Sequence, residues 1–400
     1  MSEFTNHKQK RVNQLVDFAW QMMVTTDKAK LVKANEQLIS QVIPSEVIAL
    51  FDVMVKEFHD LDFSELKPAT NKMLHLFHLP LKSYPGIKPE KDSFLDLLIH
   101  NNAEMEKLLK SMKIDIKTLN ENSGDKAAKT NLLQKLTRFL KYEKHYQIKE
   151  NVLFPALEKH WDDFRCVQLM WSYHDDIRQQ LKGVIQALST NSLDLSTFNR
   201  LTGDLFFNVF AIRFREEYIL FPHILETIPQ QAIQQMLVDS HEIGFPYVSP
   251  AKVETTESVI FCDGTTVNLG TGNGTPEQLL LIFNHLPVDI TFVDEQDTVR
   301  YFSTPKKRIF PRTKAIIGRK IHNCHPPESV HVVEEIVSAF RNDEKDQASF
   351  WIDFKGEKIL IQYFALRDEN GIYKGVIEVT QEIGDIQKLE GEKRLLDWKK

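Results

Sequence analysis

Residues 145–157 read His-Tyr-Gln-Ile-Lys-Glu-Asn-Val-Leu-Phe-Pro-Ala-Leu, and residues 216–225 read Glu-Glu-Tyr-Ile-Leu-Phe-Pro-His-Ile-Leu. Both stretches place an acidic residue shortly before the same Leu-Phe-Pro phrase. This repetition predicts two helices of one bundle that carry carboxylates toward its centre. A buried carboxylate needs a compensating partner, and a metal ion is a common one, so the repeat indicates a metal site between the helices.

Apolar stripes at helical spacing extend the prediction to four helices. The helices run from about residue 92 to 112, from 125 to 160, from 161 to 188 and from 196 to 225. Glu150 and Glu216 each interrupt an apolar stripe, and His174 lies within one, so all three side chains are predicted to face inward. His100 and Glu104 are four residues apart in the first helix and share one face.

The second helix raises a geometrical problem, because His145 and Glu150 are about 140° apart on an ideal α-helix. Both side chains can face one metal only if the helix contains an irregular turn, of which a π-bulge is the usual kind. Without such a turn, Tyr146 is the inward neighbour of Glu150.

The predicted metal ligands are imidazoles and carboxylates from all four helices: His100, Glu104, His145, Glu150, His174 and Glu216. A mixed nitrogen and oxygen set suits non-haem iron, as a di-iron centre, or manganese. The competing interpretation is a degenerate bundle that is kept for packing or signalling.

Breaks in composition divide the 400 residues into five segments. The predicted segments are a helical N-terminal domain (1–85), the four-helix bundle (90–230), a Pro- and Gly-rich linker with a small hairpin (231–275), an α+β domain (276–384) and a charged C-terminal helix (385–400). The hairpin is predicted from alternation over residues 257–269. Turns at Lys355-Gly356 and at residues 368–371 separate the last three predicted strands.

Composition excludes several classes of protein. The net charge is -6 with 26% charged residues, so no basic face for nucleic acid is indicated. No apolar run is long enough to span a membrane, and no leader precedes the first helix. Three scattered cysteines, Cys166, Cys262 and Cys324, form no disulfide framework. These features predict a protein of the reducing cytoplasm.

Residues 318–329 read Gly-Arg-Lys-Ile-His-Asn-Cys-His-Pro-Pro-Glu-Ser. Through this stretch and the two Leu-Phe-Pro phrases, the chain resembles a bacterial three-part family. That family has a helical N-terminal domain of unknown function (the DUF438 type), a hemerythrin-like bundle with iron ligands, and a C-terminal PAS domain. The resemblance implies a multidomain fold with an all-α N-terminal domain, a four-helix hemerythrin-like bundle and an α+β PAS domain with an antiparallel sheet.

The chain departs from the oxygen-carrying members of the resembled family. Met170 and Ile212 stand four residues before His174 and Glu216, where the oxygen-binding pattern has histidine. A reversible oxygen carrier is therefore not expected.

The resembled PAS domain often encloses a small ligand. His322 and His325 are the candidates to hold haem or another small molecule there. The favoured alternative is that His-Pro-Pro shapes a turn before the following helix.

The favoured function is a cytoplasmic sensory or regulatory protein whose bundle metal, with the PAS domain, responds to oxygen, nitric oxide or redox state. Output is expected to pass through a partner protein or through a homodimer formed by the PAS domain. One alternative is an iron-handling protein that donates iron to repair iron–sulfur centres. Another is a carboxylate-type di-iron enzyme, although no catalytic motif is apparent and no enzymatic activity is expected.

Overall fold

The computed structural model describes residues 3–57, 62–190, 192–250, 266–269 and 271–392. The chain divides into two compact units, Met1–Glu254 and Thr255–Lys400. The first unit is helical, and the second carries an antiparallel five-stranded sheet, so the predicted fold class is confirmed. Within the part of the chain that the structure describes, none of the helices combines the length and the apolar character needed to span a bilayer.

Five helices precede the bundle: α1 (Glu3–Val24), α2 (Lys28–Ala34), α3 (Glu36–Ser40), α4 (Pro44–Glu57) and α5 (Phe63–Lys82). The start of α5 is fixed by a capping box, in which Asp62 and Glu65 bond each other's backbone amides. Buried apolar side chains of these helices continue into those of the bundle, so the first unit has one hydrophobic core.

Polar contacts also join these helices to the bundle. Asp52 of α4 accepts a hydrogen bond of 2.7 Å from the backbone N–H of Arg165. The guanidinium of Arg215, which is buried, donates to Asn71 of α5 at 2.7 Å and to the hydroxyl of Tyr173 at 3.1 Å. Arg215 directly precedes Glu216 in the chain, and Tyr173 directly precedes His174.

Four long helical stretches form the bundle. They comprise α6 (Phe94–Glu121); then α7 (Lys126–Phe139), α8 (Glu143–Ile148) and α9 (Phe154–His160); then α10 (Cys166–Ser189); and finally α11 (Leu195–Arg215) and α12 (Phe221–Thr227). These bounds follow the predicted ones closely, except that α6 extends well beyond its predicted end. The predicted linker begins with a further helix, α13 (Gln230–Asp239), because Ile233 and Met236 pack into the hydrophobic core.

Two π-helical turns interrupt the second and fourth stretches, at Lys149–Leu153 and at Glu216–Leu220. Each turn ends immediately before a Phe-Pro pair. Proline has no amide hydrogen, so Pro155 and Pro222 cannot donate to the carbonyl four residues earlier, and a wider turn carries the chain past that point. The irregular turn that the sequence required near Glu150 is therefore present.

The described part of the second unit begins with a short hairpin, β1 (Val267–Asn268) and β2 (Asn273–Gly274), and the helix α14 (Pro276–His285). The main elements are β3 (Asp289–Asp294), β4 (Val299–Phe302), α15 (Pro327–Arg341), β5 (Gln347–Phe354), β6 (Glu357–Arg367) and β7 (Tyr373–Glu382). The strand order is β4-β3-β7-β6-β5, and all neighbours are antiparallel. Val333, Val337 and Phe340 of α15 belong to the hydrophobic core of this unit.

One turn and one glycine within a strand fix the register of this sheet. Lys355 and Gly356 both have positive φ, 55° and 85°, as the predicted two-residue turn between β5 and β6 requires. At Gly375 in β7 a Cβ atom would lie 2.1 Å from the carbonyl oxygen of Val293, so only glycine allows this approach of β7 to β3.

Two predictions lie partly outside the described residues. Most of the predicted strand pair over 257–269 falls there, and so do residues 393–400 of the predicted C-terminal helix. The described part of that helix contains a 3₁₀ turn, Ile386–Lys388.

Candidate functional site

Four of the six predicted ligands meet at the centre of the bundle. His145, His174 and Glu216 are 0% exposed, and Glu150 is 5% exposed. His145 Nε2 lies 3.2 Å from Glu216 Oε2, and His174 Nδ1 lies 2.8 Å from Glu150 Oε1. The four side chains therefore form two imidazole–carboxylate pairs that link neighbouring helices.

The prediction that His100 and Glu104 face the centre is wrong. The side chain of His100 is 58% exposed, and its ring lies 2.9 Å from the backbone oxygen of Asp96. Glu104 pairs with Lys107 at 2.7 Å on the surface of α6. The buried face of α6 instead passes through Asn102, which is 0% exposed, so the predicted phase of this helix is shifted.

Asn102 is a member of the centre that the sequence reasoning missed. Its Nδ2 donates to Glu216 Oε2 at 3.0 Å and to Glu217 Oε1 at 3.1 Å. Its Oδ1 accepts a hydrogen bond from the hydroxyl of Tyr142. An amide is not a typical metal ligand, and this one holds Glu216 in place.

Lys149 is the more consequential omission. Its side chain is 0% exposed, and its ammonium donates directly to Glu216 Oε1. The ammonium also lies 4.7 Å from the centroid of the Tyr146 ring, a cation–π distance. The available signal was its position in the sequence, four residues after His145 and directly before Glu150.

A second cation serves the other carboxylate. Arg178 Nη2 lies 2.9 Å from each oxygen of Glu150, and Arg178 Nε lies 3.1 Å from Glu143 Oε1. Both carboxylates at the centre of the bundle are thus matched by a basic side chain of the same bundle.

Two tyrosines hold the imidazole rings. Tyr142 stacks on His145 with 4.6 Å between ring centroids, and Tyr146 stacks on His174 at 4.4 Å. The π turn at Lys149–Leu153 allows His145, Tyr146, Lys149 and Glu150 all to be buried in one helical stretch. The sequence predicts either His145 or Tyr146 beside Glu150 in the interior. In the structure both side chains are buried there.

The electrostatics of the centre follow from this arrangement. Burial opposes ionisation of Glu216, but Lys149 and His145 outweigh it and lower the pKa of this carboxyl. Burial, reinforced by Lys149 and Arg178, holds the pKa of His174 well below its usual value, so this imidazole is neutral. The two carboxylates are balanced by two basic side chains.

These residues do not fit a resident metal. Among the described residues, no group of three or more His, Cys, Asp or Glu side chains is arranged to hold a metal ion. His145 Nδ1 and His174 Nε2 are buried without a hydrogen-bond partner in the described part of the chain, as ligand nitrogens would be. They belong, however, to rings that pair with different carboxylates, and a metal ion at Glu216 would lie beside the Lys149 ammonium.

The two PAS candidates differ in position. His322 is exposed, whereas His325 is half-buried with Nδ1 3.0 Å from the backbone oxygen of Ile321. Pro326 caps α15, in agreement with the alternative that His-Pro-Pro shapes the turn before the helix. A buried contact between two side chains of this unit lies elsewhere: the Tyr363 hydroxyl donates to Glu378 Oε2 at 3.0 Å.

Comparison with known proteins identifies two domains. A family model for the hemerythrin HHE cation binding domain matches residues 93–224, and a family model for a PAS domain matches residues 279–384. The resemblance of the N-terminal residues to the DUF438 type stays a prediction. No curated protein matches the chain.

Three solved structures are similar to parts of the chain. A C-terminal domain from Streptococcus mutans is 33% identical and covers 32% of this chain and 98% of its own, with a TM-score of 0.30. A PAS domain from Colwellia psychrerythraea is 18% identical and covers 27% of this chain and 97% of its own, with a TM-score of 0.23. A sensory box sensor histidine kinase from Vibrio cholerae is 14% identical and covers 26% of this chain and 90% of its own, with a TM-score of 0.21.

Proposed function

We propose that this chain is a non-enzymatic sensory or regulatory protein in which a hemerythrin-type bundle and a PAS-type domain act together. The observation that carries the proposal is the presence of both domains in one chain, at residues 93–224 and 279–384. The signal is a diatomic gas, oxygen or nitric oxide, or a change of redox state. Output passes through a partner protein or through a homodimer of the PAS-type domain.

We place the response to this signal in the PAS-type domain. The sequence hypothesis put it at a metal centre in the bundle, but the ion pairs of Lys149 and Arg178 argue against that location. The inner face of β7 offers an alternative. Glu378 is 9% exposed and bonds Tyr363, and Thr380 lies two residues further on the same face, 1% exposed.

These groups have the character of a small-molecule site. The Thr380 hydroxyl is buried without a hydrogen-bond partner among the described residues. A few polar groups within an apolar interior are typical of small-ligand sites, where they set orientation and specificity. A haem or other small ligand in this domain would meet the carboxylate of Glu378 and this hydroxyl.

Hydrogen–deuterium exchange of the full chain tests the proposal. The chain is compared under reducing anaerobic conditions, in air and with a nitric oxide donor. We expect at least one change of condition to alter exchange in β6 and β7, and Glu378→Gln to abolish that change. The matched control is Glu382→Gln, which removes a carboxylate from the same strand that pairs only at the surface, with Lys307.

Two results would count against the proposal. One is unchanged exchange in both domains under all three conditions. The other is stoichiometric iron that the purified chain releases to an apo iron–sulfur protein, which would support the iron-donating alternative.

A further inference from the structure

We infer that Lys149 is a built-in cation that occupies the place of a metal ion in this bundle, so that the bundle folds and functions without a metal. The inference concerns the hemerythrin-type bundle alone and is independent of where the chain senses a signal.

The contacts of Glu216 carry the first step. Its Oε1 accepts from the ammonium of Lys149, and its Oε2 contacts His145 Nε2 at 3.2 Å and Asn102 Nδ2 at 3.0 Å. Both oxygens are therefore engaged by groups of the protein. A metal ion at this carboxylate would have to displace the ammonium, whose side chain is 0% exposed.

The second step concerns the other carboxylate. Both oxygens of Glu150 lie 2.9 Å from Arg178 Nη2, and Oε1 also lies 2.8 Å from His174 Nδ1. Lys149 and Glu150 are adjacent in the chain, and the π turn that begins at Lys149 gives each a different partner. The ammonium is directed to the fourth helical stretch, and the carboxylate to the third.

Charge balance supplies the third step. The two carboxylates at the centre, those of Glu150 and Glu216, are each paired with a basic side chain, and Arg178 is shared further with Glu143 and Asp175. A divalent ion beside Glu216 would place two further positive charges next to the buried Lys149 ammonium, which is strongly unfavourable. Conversely, loss of the ammonium would leave Glu216 with His145 and Asn102 and without a cation.

Metal loading of the full-length chain tests the inference. The chain is stripped with a chelator, incubated anaerobically with cobalt(II) or iron(II), desalted and analysed for bound metal, and its thermal unfolding is recorded with and without the metal. For the unmodified chain we expect no retained metal above that of a protein without a site, and no shift of Tm.

Lys149→Glu removes the ammonium and adds a carboxylate beside Glu216 and His145. We expect this variant to retain cobalt(II), and its Tm to rise by roughly 5–10 °C at about a hundredfold excess of metal over Kd. The matched control is Lys144→Glu, at an exposed position of α8 in the same helical stretch, which should gain neither property.

Two outcomes would overturn the inference. One is an unmodified chain that retains iron in stoichiometric amount and whose Tm falls when a chelator removes it. The other is a folded Lys149→Glu variant that retains no metal. If Lys149→Glu fails to fold even with metal, Lys149→Met is tested instead. A folded Lys149→Met chain that binds no more cobalt(II) than the unmodified chain would also overturn the inference.

Discussion

Replacement of Glu216 by Gln should destabilise the first unit far more than the same replacement at its neighbour Glu217. Glu216 is 0% exposed and is the contact of the buried Lys149 ammonium, so Glu216→Gln leaves a buried charge without its partner. Breaking a buried pair from one side costs about 3–5 kcal/mol. Glu217 pairs with Arg213, whose side chain is 22% exposed and which keeps Glu106 as a second partner. A glutamine at position 217 keeps a carbonyl oxygen for Asn102, and Arg213 keeps Glu106, so Glu217→Gln should cost about 1 kcal/mol.

A double-mutant cycle sharpens this prediction. Lys149→Met should cost a similar amount to Glu216→Gln, whereas the double variant removes both charges and should be much less destabilised than the sum of the two. Urea unfolding is followed by circular dichroism at 222 nm and by the fluorescence of the bundle residues Trp161 and Trp171. Equal losses at Glu216 and Glu217 would refute the reasoning, and so would additive costs in the cycle, because both results would mean that the ammonium and the carboxylate do not depend on each other.

Three further outcomes are expected. Arg178→Met should lower the free energy of unfolding of the first unit by about 1.5–3 kcal/mol in the same urea assay, because it removes charged hydrogen bonds from three carboxylates, those of Glu143, Glu150 and Asp175. Gly375→Ala should lower the Tm of the second unit strongly, whereas Gly371→Ala, with φ of 78° and nothing within 4 Å of the added Cβ, should cost only about 1 kcal/mol of backbone strain. In a variant that lacks the third cysteine, iodoacetamide should modify Cys324 well before Cys166 by mass spectrometry, because burial raises the pKa of the Cys166 thiol and shields it; equal rates would contradict the structure.

The outline of the fold could be predicted from the sequence because it depends on local signals. Helical stripes, paired turn residues and clusters of proline and glycine each act over a few residues, and they placed the turns between the last three strands of the second unit where the structure has them. The need for a π turn near Glu150 could also be derived, since it follows from the angle between two positions of one helix.

The make-up of the bundle centre could not be predicted in the same way. A lysine within a helix is normally solvent-exposed, because burial of an unpaired ammonium is so costly. Lys149 is buried only because Glu216, distant in sequence, lies opposite it on another helix. The phase of α6 differs from the predicted one for a related reason: an imidazole such as that of His100 is a common metal ligand, whereas an amide such as that of Asn102 gives no signal until its partners are known.

Because Arg215 contacts α5, the bundle should not be truncated at its border with the N-terminal helices. The side chains of Arg215 and Tyr173 contact α5. Those of the next residues, Glu216 and His174, contact the paired groups at the centre of the bundle. A single peptide bond separates the two roles on each helix. A bundle excised without α5 would lack the hydrogen bond from the buried Arg215 guanidinium to Asn71 and leave that guanidinium with Tyr173, one residue before Glu216. Any change in the position of α5 would therefore act on the residue next to this carboxylate.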